Sequence, residues 1–155
     1  MNAGLAQGLY ERFQATIADQ FAGGWHLGRA EFDGHVTYPY IVVQGTFSLG
    51  PDYTTGSHEH GQSVTEPESL SFMVFSPVDT EAARLARLVE RTFVRDVMRN
   101  KIQWVDGDER GHTMRAHKVS GTQYEDPDKE TDGEYTGRTI WTAVRVIEFL
   151  TERST

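Results

Sequence analysis

Apolar side chains alternate with smaller or solvent-facing ones from Leu70 to Phe75, then recur every third or fourth residue from Ala82 to Phe93. A strand therefore runs straight into an amphipathic helix. Leu70, Phe72 and Val74 share one strand face, and Ala82, Leu85, Ala86, Val89 and Phe93 form one helical stripe. Pro77 stops the strand, and Asp79 or Thr80 supplies an oxygen to cap the helix start. The pattern predicts a strand over about 68–76 and a helix over about 80–97. The helix is expected to fold back on the sheet that contains its own strand.

The same reading extends along the chain. Leu5, Leu9, Phe13, Ile17 and Phe21 predict a helix over 5–21, ended by Gly23 and Gly24. Residues 25–37 read as an ordered but irregular link. Residues 38–47 are dense in β-branched and aromatic side chains and form the first strand, with Pro39 at its start or on an edge. A polar stretch over 49–66, without periodicity, reads as a long loop. A short strand is expected at 101–105, turning at Asp106, Gly107 and Asp108, and a half-buried strand at 112–120. A second polar loop spans 121–137. The last strand, 138–150, is apolar on both faces, with Trp141, Ala143, Ile147 and Phe149 on one and Ile140, Val144 and Val146 on the other. It is therefore central or covered by a partner. The tail, 151–155, is expected to fray. The order predicts a single α+β domain over 1–155: a two-layer sandwich whose mainly antiparallel sheet of about four strands carries two helices on one face.

Composition narrows the function. The chain has 155 residues, a formal net charge of −8 and no cysteine. Disulfides and thiolate metal sites are excluded, and the lack of cysteine fits a reducing compartment. No apolar run is long enough to span a membrane, and residues 1–4 do not open a signal peptide. The acidity argues against general affinity for phosphate backbones. Charge is uneven, however. Arg84, Arg87, Arg91, Arg95 and Arg99 recur at helical spacing, while 125–134 is an acidic run. The arginines are either a solvated helix face or a basic stripe that meets an acidic surface on a neighbouring subunit.

Candidate chemistry is sparse. His58 and His60 could share a metal if His112 or His117 joined them, but surface histidines explain a Gly- and Ser-rich loop equally well. Asp126, Asp128, Glu130, Asp132 and Glu134 crowd a hydrophilic loop, where solvated charge is the default against acid/base catalysis. No nucleophile elbow is present, and no phosphate-cradling glycine pattern follows a strand. Trp25, Trp104 and Trp141 could stack on a ligand, yet packing accounts for them. No catalytic, cofactor or metal residue is assigned, and the chain reads as an assembly protein rather than an enzyme.

Leu9 and Tyr10 on the first helix, then Gly28, Arg29 and Ala30, precede the 38–43 strand, which opens Tyr38, Pro39, Tyr40. The 70–75 strand follows, then Ser76 and Pro77 ahead of Glu81, Ala82, Ala83 and Arg84. This succession resembles the tail terminator (tail completion) proteins of long-tailed bacteriophages and gene transfer agents. The resemblance covers nearly the whole chain, but the loops at 49–66 and 121–137 are longer than it requires. It implies a virion structural protein, soluble in the host cytoplasm before assembly. Its subunits would form a ring, commonly hexameric, that caps the tail tube and meets the head-side connector or stopper. DNA would pass only as cargo, which suits an acidic conduit. The interface residues expected on this basis are Asp52, Tyr53, His58 and His60 in one loop, Arg84, Arg87 and Arg91 on the helix, and Asp126, Asp128 and Glu130 in the other loop. The alternatives are a neck stopper or adaptor, or a small metal-dependent α+β enzyme or ligand-binding module using the His58/His60 loop.

Overall fold

A computed structural model describes residues 2–45, 53–55, 63–131 and 133–154. Helix α1 (Ala3–Thr16) is capped by Asn2, whose side-chain oxygen accepts the Leu5 N–H at 3.0 Å. A short 3₁₀ turn, Ala18–Gln20, follows it. Strands β1 (Trp25–Leu27), β2 (Tyr40–Gly45), β3 (Tyr53–Thr55) and β4 (Ser63–Ser76) come next. Helix α2 (Asp79–Glu90) passes through a π-helical turn (Arg91–Arg95) into α3 (Asp96–Arg99). Strands β5 (Gln103–Asp106), β6 (Glu109–Glu125) and β7 (Trp141–Ser154) complete the chain.

One sheet holds every strand among the described residues. Six lie in the order β1-β2-β4-β7-β6-β5, and β3 adds to β4 beside that path. All pairs are antiparallel except β1 with β2. The α+β class holds, but the sheet is wider than the four strands expected. The extra strands are short or polar. Trp25 to Leu27, placed in an irregular link by the sequence, has too few residues to show a period. Pairing within 49–66 begins in residues that lack alternation altogether.

The helices cover the face bearing Leu70, Phe72 and Val74. Those side chains meet Leu5, Leu9, Phe13, Leu85, Val89, Phe93, Ile147 and Phe149 in one core. Trp25 sits amid it, 5.0 Å from Phe13 and 6.0 Å from Phe93 between ring centres. Phe93 also stacks on Phe72 at 5.0 Å. Trp104, buried beneath α1, fills space that Gly4, Gly8 and Gly111 leave open.

Three expectations about ends are corrected. Strand β6 continues to Glu125, so the polar loop beyond it is shorter than 121–137. Strand β7 does not stop at Leu150, because its residues up to Ser154 pair with β4 and β6. Thr151 is buried and donates to the Glu66 carbonyl at 3.1 Å. The predicted first helix ends at Thr16 and resumes only as the 3₁₀ turn. Sheet ladders are made of backbone, so polar ends remain strand wherever a neighbour supplies partners.

From Met114 to Glu125, roughly 40 Å of strand, β6 pairs among the described residues only with β7, because β5 stops opposite Glu109 to His112. Met114, Val119 and Tyr124 are exposed along it. Register shifts interrupt it between Thr113 and Arg115 and between Lys118 and Ser120.

Candidate assembly surfaces

The helix layer presents arginine to solvent. Arg84, Arg87, Arg91, Arg95 and Arg99 are all exposed on the side away from the core. Arg84 donates to the Gln20 side chain at 3.2 Å. Among the described residues, Arg87, Arg91, Arg95 and Arg99 make no ion pair, whereas Arg145 and Lys118 both bridge to Glu90. Between the arginines lies a shallow groove of about 600 Å³ lined by Thr80, Ala83, Arg84, Arg87, Leu88 and Arg91. A second, of about 330 Å³, is lined by Arg87, Glu90, Arg91, Val94 and Arg95. Leu88 and Val94 are half-buried and give both grooves an apolar floor.

The π turn keeps this row straight. A four-residue step overshoots an α-helical turn by about 40°. Repeated alone, it would carry side chains steadily round the helix. A wider turn with i→i+5 bonds takes back part of that drift. Leu85, Val89, Phe93 and Val97, all four residues apart, accordingly remain buried together. Arg87, Arg91, Arg95 and Arg99 keep the same step on the opposite side.

The acidic turn between β6 and β7 is held in place rather than loose. Asp126 N–H donates to the Ile140 carbonyl at 2.7 Å, and Glu130 and Arg138 pair at 3.2 Å. Gly137 N–H returns to the Glu130 carbonyl at 2.7 Å. The Tyr38 hydroxyl donates to the Glu130 carboxylate. The Tyr38 ring also packs edge-on against Tyr135, with Arg138 above that ring. Burial, then the bond to Glu130, raises the Tyr38 phenol above its ordinary pKa. Tyr40 is pushed up to about 12, first by burial and then by the charges of Glu130 and Asp126.

These tyrosines and the start of α2 place the turn. Tyr40 pairs with Phe75 and stacks on it at 4.7 Å, on the face opposite Phe72 and Val74. Tyr40 therefore lies across the sheet from the arginine helix, while the turn sits at the end of the sheet where α2 begins. Gln123, just before the turn, donates to the Asp79 carbonyl at 2.9 Å. The Tyr135 phenol pKa is raised by its bond to Glu134 and also by the charge of Glu81 on the first turn of α2. Of the expected acidic residues, Asp128 is exposed, as are Glu125 and Glu134. Asp126 accepts the Asp128 N–H at 3.0 Å. Glu130 is half-buried and engaged by Tyr38, which ties it into the turn.

Arg84, Arg87 and Arg91 thus share one surface, and Asp126, Asp128 and Glu130 share another. Asp52, His58 and His60 lie outside the described residues. Tyr53 begins β3, its backbone opposite Thr65 of β4. Among the described residues no three His, Asp or Glu side chains gather to hold a metal. His112 and His117, the expected helpers of a His58/His60 site, stand five residues apart on β6, about 16 Å in an extended strand. The role of Tyr38 and Tyr40 was missed, because a strand-forming aromatic run says nothing about what its outward face will hold. Among the described residues no helix is long and apolar enough to cross a membrane.

No family model matches this chain, and no curated protein matches it. One chain from a solved structure described as the virion of a native gene transfer agent particle superposes with a TM-score of 0.49 and 12% identity, over 96% of this chain and 95% of that one. A second solved chain reaches 0.45 and 9% identity over 94% of each.

Proposed function

We propose that this chain is a structural virion protein that assembles as a ring on the end of a tail tube and presents its far side to a head-side connector. The observation that carries the reading is the presence of two unlike charged surfaces, the helix arginines and the acidic β6–β7 turn, on separate elements of one subunit. A subunit that must join identical copies into a closed ring needs such head-to-tail complementarity, since one self-complementary patch yields only pairs. The order of helix and strand elements that resembles tail terminators in sequence supports it as well. Net acidity fits a lumen through which DNA slides without being held.

Electron microscopy of the purified protein mixed with polymerised tail tubes tests the reading. Density capping one end of each tube is the expected result, and bare ends overturn it. A neck stopper or adaptor would instead bind the isolated connector and ignore tube ends. The metal-dependent alternative at His58 and His60 predicts stoichiometric zinc and loss of structure on chelation.

A further inference from the structure

We propose that the arginine face of the 79–99 helix is the seat for a second copy of this chain, which inserts its acidic β6–β7 turn into the groove floored by Leu88 and Val94. The inference deepens the assembly reading and rests on it. Arg87, Arg91, Arg95 and Arg99 follow one another at a spacing where like charges on a helix repel. None of the four makes an ion pair among the described residues: Glu90, which lines the groove beside them, is engaged by Lys118 and Arg145. Within its own subunit the acidic turn is held by Tyr38 at the Asp79 end of the helix. No carboxylate of the turn forms an ion pair with Arg87, Arg91, Arg95 or Arg99 among the described residues. A neighbouring copy can bring its own turn up to the groove.

The groove suits this occupant. Guanidinium groups on both sides can each take a carboxylate through two parallel N–H bonds. Asp128 and Glu134 are exposed on the turn to supply those carboxylates, with Glu125 beside them. The apolar floor buries carbon of the entering turn and excludes water from the charge pairs. The turn is already ordered by its own backbone bonds, so docking costs little conformational entropy. Joining the helix groove of one copy to the turn of the next leaves a free surface of each kind at every step, and a ring closes the series.

The test is a charge swap on the full chain, read by sedimentation velocity over a range of concentration and salt. Arg87→Glu with Arg91→Glu, and separately Asp128→Lys with Glu134→Lys, should each weaken self-association about 100-fold, as expected for opposed charges at a contact. The chain carrying all four substitutions, and an equimolar mixture of the two double variants, should each recover to within about 10-fold of the native chain. The native assembly should also weaken as salt rises through the range that screens exposed charge. Circular dichroism confirms that each variant is folded, and the salt series keeps the question decidable for one that is not. A native chain that stays monomeric, double variants that associate normally, or a folded four-site variant that does not recover would overturn the contact. Tube-end capping by the native chain is scored separately, so this interface can fail while the virion reading stands.

Discussion

Trp104 shows how tightly single residues are set. A Cβ built on Gly4 would stand 2.0 Å from its Cδ1, and one on Gly111 would stand 2.2 Å from its Cε2. An indole ring cannot bend aside, so Gly111→Ala should lower stability by about 1–3 kcal/mol in urea unfolding. At Gly107, where nothing crowds the missing Cβ but φ is +62°, a loss on Gly107→Ala would come from backbone strain alone. Tyr40 gives a pH signature. Its folded pKa of about 12 exceeds the unfolded value of 10.0, so the neutral phenol is the form that folding favours. Its contribution is complete below pH 10 and is lost as pH rises toward about 12. Urea midpoints should fall across that window, and Tyr40→Phe should flatten the fall. Tyr38→Phe should cost about 1.5–3 kcal/mol through the lost bond to Glu130 and should speed amide exchange in the acidic turn.

At the scale of elements, the helix and strand cores were legible because burial imposes a period. The stripe Leu85, Val89, Phe93 located the helix, yet its four-residue step was also a sign of the π turn that the sequence reading did not use. Deleting Val94 should restore α-helical bonding and remove the Val94 side chain. Because seven α-helical steps from Val89 fall about 20° short of two turns, Val97 should stay toward the core but be drawn about 1.5 Å nearer. A lowered melting temperature is the expected outcome, and an unchanged one would mean that the π turn carries no packing. Strand ends were not legible. Thr151 to Ser154 looked like a frayed polar tail, but Arg153 reaches Glu66 at 3.3 Å and Glu109 at 3.5 Å. Removing residues 151–155 should therefore destabilise the fold by at least about 2 kcal/mol, where a frayed tail would cost nothing measurable. Hydrogen exchange at residues 63–66 and 110–113 would locate the damage.

On the scale of the whole molecule, the sequence showed both charged groups but not their arrangement. Spacing put the arginines on one helix, whereas the position of the turn at the end of the sheet, held by Tyr38, depends on strand order, which no local pattern encodes. That arrangement makes stability depend on company. If copies stabilise one another through the arginine groove, the melting temperature should climb with protein concentration and drop back in concentrated salt. A melting temperature independent of both would mean that each copy stands alone. The long margin of β6 has a different consequence. Its backbone amides and carbonyls between Met114 and Glu125 offer a zip-fastener row that any extended chain can engage, and Val119 and Tyr124 make the row sticky. The two register shifts kink that row and should slow fibre growth, so straightening either one is the change most apt to turn a soluble stock into fibrils.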